Sequence, residues 1–206
     1  MLIGVRFYFR TSGQGALHCQ RCGGDRLYQR CTGRRWVHVL HIPVIPLDRI
    51  GEHVQCRSCR TRYRLEVLGM PTVAAMQAAL PAGSLAAVTT MLRAGDPASA
   101  PARSRAVEMV QRAGVAGYDD ATLTADLATA REPAADISAS LRTLARQLIR
   151  PAPEWFLADA VRVGLADGPL SEEERAAAQL IASYLGMTSA QAHGVIWLTE
   201  EGAAAG

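Results

Sequence analysis

The chain has 206 residues, and its 22 basic side chains, all arginine, against 19 acids leave a net charge of only +3. That sum conceals a split. Residues 1–69 carry 12 Arg against four acids, a net of +8, whereas residues 70–206 carry 10 Arg against 15 acids, a net of −5. Alanine divides in the same place, with one in the first part and 35 in the second, so two parts with different folding logic are expected. No apolar run approaches the ~18 residues of a membrane span; the longest candidate, Trp36 to Leu47, carries His38, His41, Pro43 and Pro46. The apolar start MLIGVRFYFRTSG is interrupted by Arg6 and Arg10 and is followed by no small-residue cleavage site. Neither a span nor a secretory leader is expected, and the expected location is the cytoplasm.

The first part reads as short strands. Leu2–Arg10, Arg26–Gln29, Trp36–Ile42, His53–Gln55 and Thr61–Leu68 are rich in Val, Ile, Tyr and Phe and are separated by glycines. So little apolar material makes a thin core, and a fold of this size needs a staple. The second part reads as helices. Ala74–Leu80 and Leu85–Arg93 are predicted as two segments parted by Pro81, followed by Arg103–Ala113 and Thr122–Ala130. A loop, Pro97–Pro101, falls among them. Ile137, Leu141, Leu144, Ala145, Leu148 and Ile149 then share one helix face, and Pro151 and Pro153 end or kink that helix before Trp155–Leu165 continues it. Ser171–Glu174 is a capping box opening a helix with Ala177, Leu180, Ile181, Tyr184 and Leu185 inward, and Thr188–Gln191 repeats the device before a last helix. The tail EGAAAG is expected to fray.

Chemistry concentrates in four cysteines. Cys19-Gln20-Arg21-Cys22 and Cys56-Arg57-Ser58-Cys59 are two C-x2-C pairs 33 residues apart. Each pair can close a tight turn that aims two thiolates at one centre, and two such turns make a tetrahedral site for zinc. With strands between the pairs, a zinc ribbon is expected. Four thiolates close the coordination sphere and leave no place for an activated water, so the zinc is expected to be structural. Disulfides would need an oxidising compartment, a redox C-x-x-C would open a helix, and an iron–sulfur centre is the remaining rival. Cys31, on or beside a strand between Arg30 and Arg34-Arg35, matches neither pair and is read as a small residue in a turn, with a redox thiol as the sharper reading. His18, His38, His41 and His53 are read as packing or surface residues.

Arg57, Arg60, Arg62 and Arg64 suggest phosphate contacts. The last three alternate and would share one strand face opposite Tyr63 and Leu65. Zinc ribbons are nevertheless often basic without binding nucleic acid, and the acidic second part is an equally simple partner. In that second part, Asp167-Gly168 followed by Ser171 and Glu172–Glu174 puts carboxylates on a turn and a helix start, where they also stabilise the fold on their own. Gly117-Tyr118-Asp119-Asp120 is a fainter counterpart, and neither segment has the alternating oxygens of an EF-hand.

Ala166-Asp167-Gly168-Pro169-Leu170-Ser171-x-x-Glu174, preceded by WFLADAVRVGL and followed by A-x-x-LIA-x-x-LGM, resembles the second half of a TerB-like domain, the all-helical module named for tellurite resistance. The resemblance spans roughly residues 85–200. The front section, with C-x-RCGG, HIPVIPL and GEHVQC-x-x-C, resembles the zinc ribbon that actinobacterial members place ahead of it. The family implies metal binding or partner docking by acids at D-G turns and helix starts, which here match Asp167 and Glu174, with Asp119 and Asp120 as the weaker pair. The resemblance also implies a stress-response setting.

These readings combine into an α+β protein: a small β zinc ribbon over residues 1–69 and an all-α TerB-like domain over 70–206. The expected function is that of a zinc-binding, non-enzymatic adaptor or interaction module with a protein partner. The alternative is a nucleic-acid-binding zinc-ribbon protein. No nucleophile–base pair, phosphate loop or open metal site points to an enzyme.

Overall fold

The computed structural model describes residues 3–39, 42–129 and 134–204. The chain divides into two compact units, Met1–Ala74 and Ala75–Gly206. In the first, strands β1 (Ile3–Cys19), β2 (Gly24–Val39), β3 (Ile42–Cys56) and the two-residue β4 (Arg62–Tyr63) form one antiparallel sheet in the order β1-β2-β3-β4. A 3₁₀ turn follows at Leu65–Gly69. The architecture is an antiparallel sheet followed by helices, α+β as expected.

The strands expected at Leu2–Arg10, Arg26–Gln29 and His53–Gln55 are parts of longer ones, and the one expected at Trp36–Ile42 is divided between the end of β2 and the start of β3. Glycines do not end the strands: Gly13, Gly15 and Gly33 are all paired, although the register shifts beside Gly13 and Gly33. They make room instead: a Cβ on Gly15 would meet the Tyr28 ring at 2.9 Å, and one on Gly33 would meet the Phe9 ring at 2.9 Å. The strand expected at Thr61–Leu68 is a correction. Only Arg62 and Tyr63 pair, with Gln55 and Val54. The chain then turns so that Val67 joins a small core with Leu17, Cys19, Val54 and Cys56. Leu2, Leu40, His41 and Ala130, which the predicted elements included, lie outside the described residues.

Helix α1 (Val73–Ala94) is continuous through Pro81, where the sequence predicted a break. Proline there removes one bond to the preceding turn, a penalty of ~3 kcal/mol. Against it stands the burial of the second half of the helix, including Ala86, Ala87, Val88, Met91 and Leu92. Together with the 3₁₀ turn, the stretch Leu65–Ala94 is long and apolar enough to cross a membrane by length and composition, where the sequence led to no such expectation. The start of α1 is capped from the sheet: Asp25 accepts hydrogen bonds from the Val73 and Ala74 amides at 3.1 and 3.0 Å, and His18 Nδ1 lies 3.3 Å from the same carboxylate. The amides and the imidazole outweigh partial burial and hold the Asp25 carboxyl below its usual value.

Helices α2 (Ala100–Arg112), α3 (Asp120–Thr129), α4 (Ala134–Ala145), α5 (Ala152–Gly164), α6 (Glu172–Tyr184) and α7 (Ser189–Ala204) complete the second unit. Ser99 caps α2 and Pro101 sits in its first turn, so the PASAP loop is shorter than expected. Residues 146–151 separate α4 from α5, which are two helices rather than one kinked helix. The expected inward face of α6 is shifted: Ala178 is buried and Leu180 is 44% exposed. The tail is helical through Ala204. Helix α5 packs against α2, α6 and α7, and its Leu157, Ala160, Val161 and Val163 lie at the centre of the core.

Close approach at α5 requires glycine. A Cβ on Gly164 would come within 2.7 Å of Leu170 and 3.0 Å of Met91. Gly164→Ala is therefore expected to cost about 1–3 kcal/mol through overpacking. Gly202→Ala on α7, with nothing within 4 Å, should be neutral or stabilising. Urea unfolding of the two variants checks the difference, and equal stabilities would contradict the packing.

Candidate metal centre

Two short turns build the site. The first follows β1: the Cys22 and Gly23 amides donate to the Cys19 carbonyl at 3.1 and 2.9 Å, and Gly23 has φ +66°. The second follows β3: the Arg60 amide donates to the Cys56 carbonyl at 2.9 Å, the Cys56 amide donates to Thr61 at 3.0 Å, and Arg60 has φ +58°. Gly23 and Arg60 thus hold equivalent left-handed positions, each directly after the second cysteine of its pair. The 33-residue spacing is spent on one long hairpin connection that returns the second turn beside the first.

The Sγ atoms of Cys19, Cys22, Cys56 and Cys59 all lie within 4.8 Å of one another. Cys19 and Cys56 are buried and the other two half-buried. Around a metal at a typical Zn–S length of about 2.3 Å, tetrahedral sulfurs stand roughly 3.8 Å apart. The Cys19–Cys59 separation of 3.6 Å matches that and is far beyond a bonded disulfide of about 2.05 Å. All five cysteines are free thiols. The four can hold one metal ion, and among the described residues no other group of three or more His, Cys, Asp or Glu converges in this way.

The thiols differ in acidity. The Thr61 hydroxyl and backbone bring Cys59 down to about 6, and hydrogen bonding to Cys59, with burial, pushes Cys22 up to about 12. Burial opposes ionisation of Cys19, but hydrogen bonds from the Tyr63 hydroxyl, 3.2 Å away, and the Cys22 backbone outweigh it and lower the thiol. A divalent cation bound among the sulfurs would favour their thiolate forms. The hydroxyls of Tyr63 and Thr61, hydrogen-bonded to the sulfurs of Cys19 and Cys59, were not read from the sequence as part of the site. An aromatic four residues and a threonine two residues beyond the last cysteine were the only signals.

Cys31 lies apart from this group, buried in β2 opposite Thr11 and His53. It belongs to a strand, not a turn. Among the arginines, Arg57, Arg60, Arg62 and Arg64 are all exposed. The expected common strand face does not form: Arg60 is in the turn, Arg64 lies beyond β4, and Arg62 stacks over the Phe9 ring at 5.6 Å.

In the helical unit the acids are engaged locally. Glu174 is buried; its Oε2 accepts from the Ser171 amide at 2.8 Å while Ser171 Oγ accepts from the Glu174 amide at 3.1 Å, a complete capping box. Asp119 accepts from the Thr122 hydroxyl and amide at 2.6 and 2.8 Å, which, outweighing burial, holds its carboxyl below the usual value. Asp120 pairs with Arg103 at 2.7 Å. Asp167 is exposed on the turn between α5 and α6.

Two outcomes follow from the site. Cys19→Ser or Cys56→Ser is expected to remove one bound metal per chain and to unfold the sheet around Leu17 and Val54, read by elemental analysis and circular dichroism. Metal retained at full stoichiometry would contradict the site. Arg60→Gly relieves a left-handed non-glycine position and is expected to stabilise the loaded unit by about 1 kcal/mol in thermal unfolding.

No curated protein and no solved structure matches the chain. A family model, Tellurite resistance protein TerB, matches residues 82–195. The match runs from within α1 into α7 and so covers the helical core, leaving the cysteine centre outside it. Because it takes in more than half of the 206 residues, the chain belongs to the tellurite resistance protein TerB family.

Proposed function

We propose that this TerB-family chain is a zinc-binding, non-enzymatic cytoplasmic protein of the tellurite-resistance and stress-response class, in which the cysteine unit and the helical unit act as a metal-responsive adaptor or interaction module. The observation that carries the reading is the four-thiol cluster. Four sulfur ligands would close the coordination sphere and leave no position for substrate or water, which supports a structural role for the metal. Sulfur ligands at paired-knuckle spacing favour zinc among the common divalent ions. The partner-facing element of the helical unit is the turn at Asp167, exposed before the capped start of α6. Glu174 takes the supporting role, fixing that start from inside.

The experiment is a pull-down from the native host with the full chain, compared with Asp167→Ala and Ser171→Ala. Loss of the cap in Ser171→Ala costs about 1 kcal/mol of stability. Asp167→Ala is expected to weaken partner capture at unchanged stability, while Ser171→Ala leaves capture intact. Equal loss in both would reduce the acidic turn to a stabilising element.

The exposure of Arg57, Arg60, Arg62 and Arg64 favours a second reading, nucleic-acid binding by the ribbon. It predicts salt-dependent anisotropy changes with labelled DNA or RNA that fall when these arginines are replaced. A flat titration would eliminate it.

A further inference from the structure

The start of α1 is the weak part of that helix. Its first buried residue is Ala79, so residues 73–78 include no buried side chain. Pro81 has no N–H to return to the carbonyl of Gln77, and the hydrogen-bond ladder thins where the outer turns meet the buried ones. A helical stretch without a packed face depends on how its end is closed. Here Asp25 closes it, its two oxygens accepting from the Val73 and Ala74 amides at 3.1 and 3.0 Å. Asp25 is in turn placed by the first cysteine turn. In the β1–β2 ladder Cys19 pairs with Gly24 and His18 with Asp25, so the carboxylate stands one rung from a ligand, with His18 Nδ1 at 3.3 Å. The chain leading into α1 is held by the same centre: the Tyr63 hydroxyl lies 3.2 Å from Cys19 Sγ, and Val67, Leu68 and Met70 pack in the core that Cys19 and Cys56 share.

We propose that Asp25 ties the first two turns of α1 to metal occupancy, so that residues 73–80 are helical in the loaded chain and fray as far as Pro81 when the metal leaves. The proposal rests on the metal-responsive reading above and names the segment that responds. Its physical steps are short. A metal held by the four cysteines fixes the Cys19–Gly24 rung, and that rung aims Asp25 at α1. The carboxylate then supplies acceptors for two of the four amides that an α-helix leaves open at its start, and a negative charge at the positive end of the helix dipole. Without the metal, Leu17, Val54 and Val67 are too few to hold the rung, and α1 loses its cap where no buried side chain replaces it. The residues from Gly83 onward keep their burial, so the change ends at the proline. Coupling of this kind is reciprocal: what the metal gives to the cap, the cap returns to the metal. Removing the carboxylate is therefore expected to raise the zinc Kd by on the order of fivefold, the worth of one helix cap.

Hydrogen exchange of the full chain, zinc-loaded and chelated, tests this, with zinc affinity read by competition with a chromophoric chelator. In the wild-type chain, protection of residues 73–80 is expected to disappear with the metal while that of 86–94 persists. Loaded Asp25→Ala should still bind one zinc, show 73–80 as open as in the chelated wild type, and bind zinc about fivefold more weakly. Asp25→Asn keeps one acceptor for two amides and no charge, so it should fall between the two in both readouts. If Asp25→Ala takes up no zinc, the loaded Asp25→Asn chain carries the same test. Protection of 73–80 that survives chelation in the wild type overturns the proposal, and so does wild-type protection or wild-type zinc affinity in the loaded variant. One zinc per chain with 73–80 indifferent to it removes this device and leaves the metal centre standing. A wild-type chain that binds no zinc removes both.

Discussion

Convergence of four thiols is the constraint on which the first unit depends. Leu17, Val54 and Val67 are too few to hold three strands of 15–17 residues by burial alone. Cys19 and Cys56 are themselves buried members of that core, so they pack as apolar side chains and, with a metal bound, would also crosslink the ends of β1 and β3. Structural zinc in small peptides contributes roughly 10–16 kcal/mol of binding free energy, comparable to the whole stability of a small domain. The second unit needs no such device. Its core runs through all seven helices, from Ala79 in α1 to Ile196 in α7, and α2, α6 and α7 start under side-chain caps.

Much of this was legible in the chain because spacing determines it. Two C-x2-C pairs carry their own turn geometry, and S-x-x-E and T-x-x-Q carry their own caps; the structure forms all of these locally. Both capping boxes close reciprocally, Thr188 with Gln191 as well as Ser171 with Glu174. The boundary in charge and alanine content near Gly69 lies close to the division between compact units at Ala74 and Ala75.

What was not legible depends on contacts between residues far apart in sequence. Pro81 breaks a helix in isolation, yet α1 continues because its later residues are buried by other helices, and no local pattern records that burial. Strand ends were hidden where glycine serves close packing rather than turning, as at Gly33 beneath Phe9. Asp25 stands at the start of β2 next to Gly24, but its partners are the amides of Val73 and Ala74, 48 and 49 residues away. Glu174 could be read from sequence as either ligand or cap. Its burial and its bond to Ser171 favour the cap, and they leave Asp167 as the acid that solvent, ion or partner can reach.

The central claim is that a metal bound by Cys19, Cys22, Cys56 and Cys59 organises the first unit and that the helical unit folds without it. Hydrogen exchange across a chelator titration of the full chain, with metal content followed in parallel, tests it most directly. The account predicts one metal per chain in freshly purified protein, loss of protection in residues 14–19 and 54–63 as the metal leaves, and unchanged protection in α5, α6 and α7. Protection that persists in 14–19 and 54–63 after the metal is gone, or collapse of both units together, would contradict it.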